Sequence, residues 1–135
     1  MEITIARHAG FCFGVRRATE RLEAAIADKG RGERIYTLGT LIHNRVYNEW
    51  LAAQGVGVIN MEQVESLADK ACADSPVTVF VRAHGITKGD TERLSALVEK
   101  NPYFRYEDCT CPYVKKIHNI ARTADEENGA AAVRY

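Results

Sequence analysis

The chain has 135 residues, 46% of them hydrophobic and 27% charged, and its 18 basic and 18 acidic side chains cancel. That is the make-up of one globular domain with enough chain to bury a core. It excludes a protein drawn to nucleic acid or an anionic membrane by a bulk field, and no apolar run reaches the roughly 18 residues of a membrane-spanning helix.

In chain order, Glu2–Ala6 (EITIA) reads as a short β-branched strand. Val15, Ala18, Leu22, Ala25 and Ile26 recur at helical spacing up to Lys29, and Gly30 closes that helix. Arg34–Gly39 is a second strand. Asn44–Gly55 is a helix with Val46, Trp50, Leu51 and Ala53 expected inward. Val56–Ile59 is a third strand, followed by a helix over Met61–Ala73 capped by Asn60, with Met61, Val64, Leu67, Ala68 and Ala71 on one face. Val77–Ala83 is the clearest strand of the chain. Lys88–Lys100 is a helix built on Leu94, Leu97 and Val98, and Tyr103–Cys109 is a fifth strand. Pro112–Asn128 is the last helix, carrying Val114, Ile117, Ile120 and Ala124, with AAAVRY as the start of a further strand. Alternating β and α units call for an α/β fold, a mainly parallel sheet with helices on both faces.

The opening residues lack the long apolar segment of a signal peptide, so a cytoplasmic location is expected. In that compartment the four cysteines, Cys12, Cys72, Cys109 and Cys111, are reduced thiols or metal ligands rather than disulfides.

Sites on such sheets form beyond the carboxyl ends of the strands. His8, Gly10 and Cys12 follow the first strand, Gly39, Thr40 and His43 the second, His84 and Gly85 the fourth, and Cys109, Thr110 and Cys111 the fifth. Cys72, at a helix end, maps to the opposite edge, and His118 lies within the last helix as a surface residue. Gly10 and Gly14 let the backbone bend and approach a ligand closely, while the helix beginning there aims its amino end at an anion.

Two chemistries fit this convergence. One is a metal or iron–sulfur centre on Cys12 and Cys111. The other is an anion pocket built from His43, His84 and helix amino ends. Zinc held by Cys12, Cys111 and two histidines is a competitor, since thiolates and imidazoles make tetrahedral sets. A thiol-redox pair of Cys109 and Cys111 is a weaker alternative. Read singly, each residue has a plain structural role: a small buried hydrophobe for a cysteine, a satisfied loop residue for a histidine, a solvated helix face for Arg16 and Arg17.

Four stretches, HAGFCFGVRRA, YTLGTLIHNRVYNEWL, VFVRAHGI and DCTCPYVKKIH, together resemble the LytB-type 4-hydroxy-3-methylbut-2-enyl diphosphate reductases, in the family's order and over almost the whole chain. The resemblance implies a trefoil of three α/β domains around a 4Fe-4S cluster held by three cysteines, with one iron open to substrate. Cys12 matches the first ligand and Cys111, in the T-C-P-Y stretch, the second. Cys109 matches no ligand. His43, in LIHN, and His84, in RAHG, match the two histidines that hold the substrate diphosphate. The implied reaction is reductive dehydroxylation of the allylic alcohol diphosphate to isopentenyl and dimethylallyl diphosphate, with a ferredoxin or flavodoxin as electron donor and the iron acting as Lewis acid. No nucleic acid or membrane partner is implied.

The departures from the pattern are equally specific. No position matches the third cysteine ligand, a further histidine, or the glutamate that relays protons, so no catalytic residue is assigned. Residues 1–110 are expected to form the amino-terminal domain and 111–135 the start of a second. The chain alone is then an incomplete portion, inactive as a reductase, or else a domain with a simpler zinc or anion site.

Overall fold

The computed structural model describes residues 2–4 and 9–128. Four parallel strands, β1 (Arg34–Leu38), β2 (Gly57–Ile59), β3 (Val77–Val81) and β4 (Phe104–Asp108), form one sheet in the order β2-β1-β3-β4. Residues 2–4 belong to no strand, and Ile5, Ala6, His8 and the AAAVRY tail lie outside the described residues. The expected five β–α units thus resolve into a four-stranded sheet among the described residues. Its registers are Leu38 opposite Ile59, Leu38 opposite Val81, and Val81 opposite Asp108.

Five helices surround it: α1 (Phe13–Ala27), α2 (Arg45–Ala53), α3 (Met61–Asp69), α4 (Lys88–Lys100) and α5 (Pro112–Asn128). Three start where a side chain supplies the missing acceptor for orphan amides. The Tyr47 amide donates to the Asn44 carboxamide oxygen at 2.9 Å, and the Asp90 amide to the Thr87 hydroxyl at 3.1 Å. Asn60 and Gln63 close a reciprocal capping box at 2.9 and 3.0 Å.

Strand alternation divides the core in two. Ile35 and Phe80 point to one face, against Ala18 and Leu22 of α1 and Leu51 of α2. Val77, Val79 and Val81 point to the other, against Val64 and Ala68 of α3 and Leu94 of α4. β3 is buried along its whole length, as a central parallel strand must be.

Two apolar stripes do not behave as their spacing suggests. On α2 only Leu51 is buried, while Val46 and Trp50 stand exposed. On α5 Ile117 and Ile120 are 61% and 60% exposed, so this stripe faces no core. Helical period marks a face but does not say what covers it.

Candidate functional site

The strand order makes the site. From β1 the chain crosses outward to β2, and from β3 it crosses the other way to β4, so β1 and β3 flank the switch point. Loops leaving their carboxyl ends diverge there and open a crevice. His43 lies on the loop after β1 and His84 on the loop after β3. Their rings stand 4.9 Å apart between centroids, tilted by 51°. Both are exposed, so two imidazoles face solvent side by side and can donate to one anion.

Backbone hydrogen bonds carry the order of the sheet beyond the strands. The Ala83 amide donates to the Leu41 carbonyl at 3.2 Å, and the Cys111 amide to the Ala83 carbonyl at 2.9 Å. The loops holding His43, His84 and Cys111 are therefore stitched in register. α1 closes the group from the side. Its first residue follows Cys12, whose backbone caps the helix without any side-chain hydrogen bond, and no acidic residue sits in the first turn. The first amides of α1 thus keep their positive end for an anion. The bend before it falls at Gly10, with φ of +119°.

Gly14 brings the two thiols into one neighbourhood. A Cβ placed on Gly14 would collide with the Cys111 Sγ and lie 2.8 Å from the Cys111 Cβ. Only a residue without a side chain lets Cys111 pack onto the first turn of α1, two residues past Cys12. Cys12 is exposed and Cys111 half-buried.

The other cysteines stand apart. Cys72 bridges to Ser75, whose hydroxyl donates to the Gly32 carbonyl just before β1, so it lies at the amino edge of the sheet. Cys109 has no solvent exposure and packs with Phe80 and Leu22. Burial pushes its thiol up to about 11, outweighing Arg21 and Arg17 nearby. A buried, protonated thiol argues against the Cys109–Cys111 redox pair. Among the described residues no three donors from His, Cys, Asp and Glu are placed together to hold a metal ion.

Asp108 and Arg17 hold the C-T-C loop. Asp108 accepts from the Thr110 amide at 2.9 Å and pairs with Lys115 at 2.6 Å. Burial would raise its carboxyl, but the bonds from Lys115 and Thr110 win and lower it. The Arg17 guanidinium donates to the Thr110 carbonyl at 3.5 Å, a long contact that still ties α1 to this loop.

His118 is an exposed residue of α5, as its position predicts, but its neighbour there is not legible in one dimension. Although it lies in α5, its Cε1 comes within 3.3 Å of a Cβ built on Gly85, beside Thr110. Gly85 is buried and has φ of +82°, a conformation costly for other residues, so the R-A-H-G turn is clamped between β4's loop and α5. Nothing in the period of α5 signals that contact, because it depends on how the helix leaves the sheet.

An open parallel sheet with imidazoles and thiols gathered at its switch point defines the class: an α/β protein with histidines and cysteines brought together at the carboxyl edge of its sheet. The LytB protein family matches residues 3–133, and the chain belongs to that family. The 4-hydroxy-3-methylbut-2-enyl diphosphate reductase of Thermoanaerobacter sp. strain X514 is 41% identical over 120 residues, covering 89% of this chain and 38% of that protein. The reductase of the same name from Geobacter sp. strain M21 is 37% identical over 127 residues, covering 94% and 39%. The chain therefore spans about 38% of the length of these relatives. A solved (E)-4-hydroxy-3-methyl-but-2-enyl diphosphate reductase, described as the terminal enzyme of the non-mevalonate pathway, superposes with a TM-score of 0.65 at 33% identity, over 93% of this chain and 39% of that one. The Plasmodium falciparum E-1-hydroxy-2-methyl-but-2-enyl-4-diphosphate reductase gives 0.70 at 26% identity, over 90% and 34%.

Proposed function

We propose that this chain supplies one wall of the active site of a 4-hydroxy-3-methylbut-2-enyl diphosphate reductase, which forms isopentenyl and dimethylallyl diphosphate in isoprenoid biosynthesis. The single observation that carries the reading is the convergence of Cys12, Cys111, His43 and His84 at one sheet edge, with the histidine rings 4.9 Å apart. In this reading His43 and His84 hold the diphosphate, each donating a ring N–H to its oxygens. The amino end of α1 adds backbone donors and positive potential.

Cys12 and Cys111 are the ligands the chain would give to a 4Fe-4S cluster. The donor set fits in part: Gly14 leaves the space in which Cys111 lies against the Cys12 turn, and two thiols are fewer than a cluster requires. When bound, such a cluster supplies electrons and an open Lewis-acidic iron. The residues of this chain position its ligands and grip the diphosphate; none is assigned the proton transfer. Residues 111–135 begin a second domain in this reading, a ferredoxin or flavodoxin is the electron donor, and the setting is cytoplasmic. No helix among the described residues is long and apolar enough to cross a membrane.

The test is anaerobic reconstitution with iron and sulfide, followed by visible spectroscopy of the chain and of Cys12→Ser and Cys111→Ser. The expected result is a thiolate-to-iron charge-transfer absorbance lost in both variants, with no reductase turnover by the chain alone. An absorbance that survives both substitutions would remove the ligand assignment, and turnover by the isolated chain would overturn its inactivity.

A further inference from the structure

Beside the histidine pair lies a cleft that shares only His84 with the proposed diphosphate grip. It is a cavity of about 790 Å³ between α5 and the turn joining β3 to α4. Arg82, Lys88, Lys115 and Arg122 line it together with the His118 ring, and among the described residues Asp108 is its one acidic side chain. In a chain whose charges cancel, this is a strong local excess of cations. Asp108 is already neutralised by Lys115 at 2.6 Å. Lys88 has only a loose, exposed pairing with Glu92 at 3.9 Å, which holds little. Arg82 spends its Nε on the Gly85 carbonyl at 3.2 Å, leaving its terminal nitrogens for another acceptor.

α4 begins at the rim of the cleft, but Thr87 caps the Asp90 amide at 3.1 Å and the Asp90 carboxylate sits in the first turn, so this helix end adds no attraction for an anion and the side-chain cations carry the site. Thr87 and Asn119 add neutral polar groups to the same lining. The volume is that of a small-molecule site, and the surface is concave. A flat protein partner would need roughly 800 Å² of matching surface on its side instead.

We propose that this cleft is a second anion site, taking a compact polyanion of the phosphate class, held by Lys88, His118 and Arg122 and separate from the His43–His84 pair. Only His84 borders both. The ligand chemistry is several adjacent phosphoryl oxygens, since cations on two facing segments, Lys88 of α4 and Arg122 of α5, with the His118 ring between them in sequence, match a charge spread over several oxygens.

The experiment is a titration of the ¹⁵N-labelled chain with inorganic triphosphate at low ionic strength, read by amide chemical shifts. Shifts are expected at residues 85–91 and 115–122. The double substitution Lys88→Gln with Arg122→Gln, both on exposed side chains, should weaken binding roughly tenfold, the scale of losing two charge-assisted contacts. His43→Ala should leave it within about twofold, since that residue does not touch the cleft. Citrate, with similar charge but no phosphoryl groups, should bind more weakly than triphosphate. The proposal is overturned if no shifts arise in the cleft, if citrate binds as tightly as triphosphate, or if His43→Ala abolishes binding while the double variant binds like the parent. That last pattern would leave the histidine reading standing alone, whereas cleft binding untouched by His43→Ala leaves the histidine reading to its own test.

Discussion

Gly14 is the residue on which the thiol neighbourhood turns. Alanine is the better helix former by about 1 kcal/mol, so at an open position the exchange should stabilise. At Gly14 the new methyl would meet the Cys111 side chain, with its Cβ at 2.8 Å, and overpacking costs about 1–3 kcal/mol. We expect Gly14→Ala to lose up to about 2 kcal/mol net in urea denaturation and to displace Cys111. Gly89, also in the first turn of a helix, has open space around it. Gly89→Ala should be neutral or gain up to about 1 kcal/mol, and this contrast separates contact from propensity.

The cysteines make a second residue-scale prediction. Cys12 and Cys72 are exposed, while Cys109 is fully buried and its thiol is raised to about 11, chiefly by burial. Iodoacetamide at mildly alkaline pH should modify Cys12 and Cys72 in the folded chain and reach Cys109 only after unfolding, as followed by peptide mass spectrometry. Modification of Cys109 at the rate of Cys12 would contradict the burial.

Between elements, the amino edge of the sheet is held by one carboxylate. Glu33, just before β1, accepts from Thr78 of β3 and Arg105 of β4, both at 2.8 Å, and Arg105 also donates to the Thr78 hydroxyl at 2.9 Å. Burial would raise the Glu33 carboxyl, but these bonds and the Gly30 amide outweigh it and lower it below its ordinary 4.5. A folded-state value below the unfolded one means that the unfolded chain binds more protons in that interval. The contribution is therefore complete at neutral pH and is lost as pH falls through and below the ordinary carboxylate range. Asp108, lowered at the opposite edge, adds to the same slope. Stability by urea denaturation should decline as pH drops below about 5, and Glu33→Gln should flatten that decline while costing about 1–2 kcal/mol at neutral pH. An unchanged acid slope in the variant would show that the tie is not energetically coupled to folding.

Most elements were plain in the residues themselves, although α3 stops at Asp69, short of the expected Ala73. Asn60 is the cap expected for α3, and Asn44 and Thr87 cap α2 and α4 in the same way. The β-branched run at Val77–Val81 is the buried central strand that its composition demands. The faces were less legible. Val46 and Trp50 recur at helical spacing yet stand exposed, with Trp50 set 5.6 Å from the Tyr47 ring and Phe11 packed edge-on against Tyr47 at 6.4 Å. The stripe on α5 is exposed in the same way. Periodicity records that apolar groups share a side, and burial needs a neighbouring element at the right distance and angle.

At the scale of the whole molecule, the decisive quantity is strand order. Parallel connections through helices allow β1 to be followed on either side, and no local signal chooses. The order β2-β1-β3-β4 sets β1 beside β3, and so sets His43 beside His84, although 41 positions separate them in the chain. The same order stacks the Leu41, Ala83 and Cys111 backbones and brings Gly14 of α1 beneath Cys111.

The sequence by itself determined the α/β alternation, the helix starts, the central strand and which four residues belong to one edge. Each of these rests on local propensity, spacing and the rule that loops after parallel strands share a side. Tertiary structure alone decided that the histidines form a pair, that Cys109 is withdrawn into the core while Cys111 stays half-buried, and that His118 lies against Gly85 in the wall of a cationic cleft. Those outcomes depend on distances between segments remote in the chain, which are set only when both faces of the sheet are covered and the strand order is fixed.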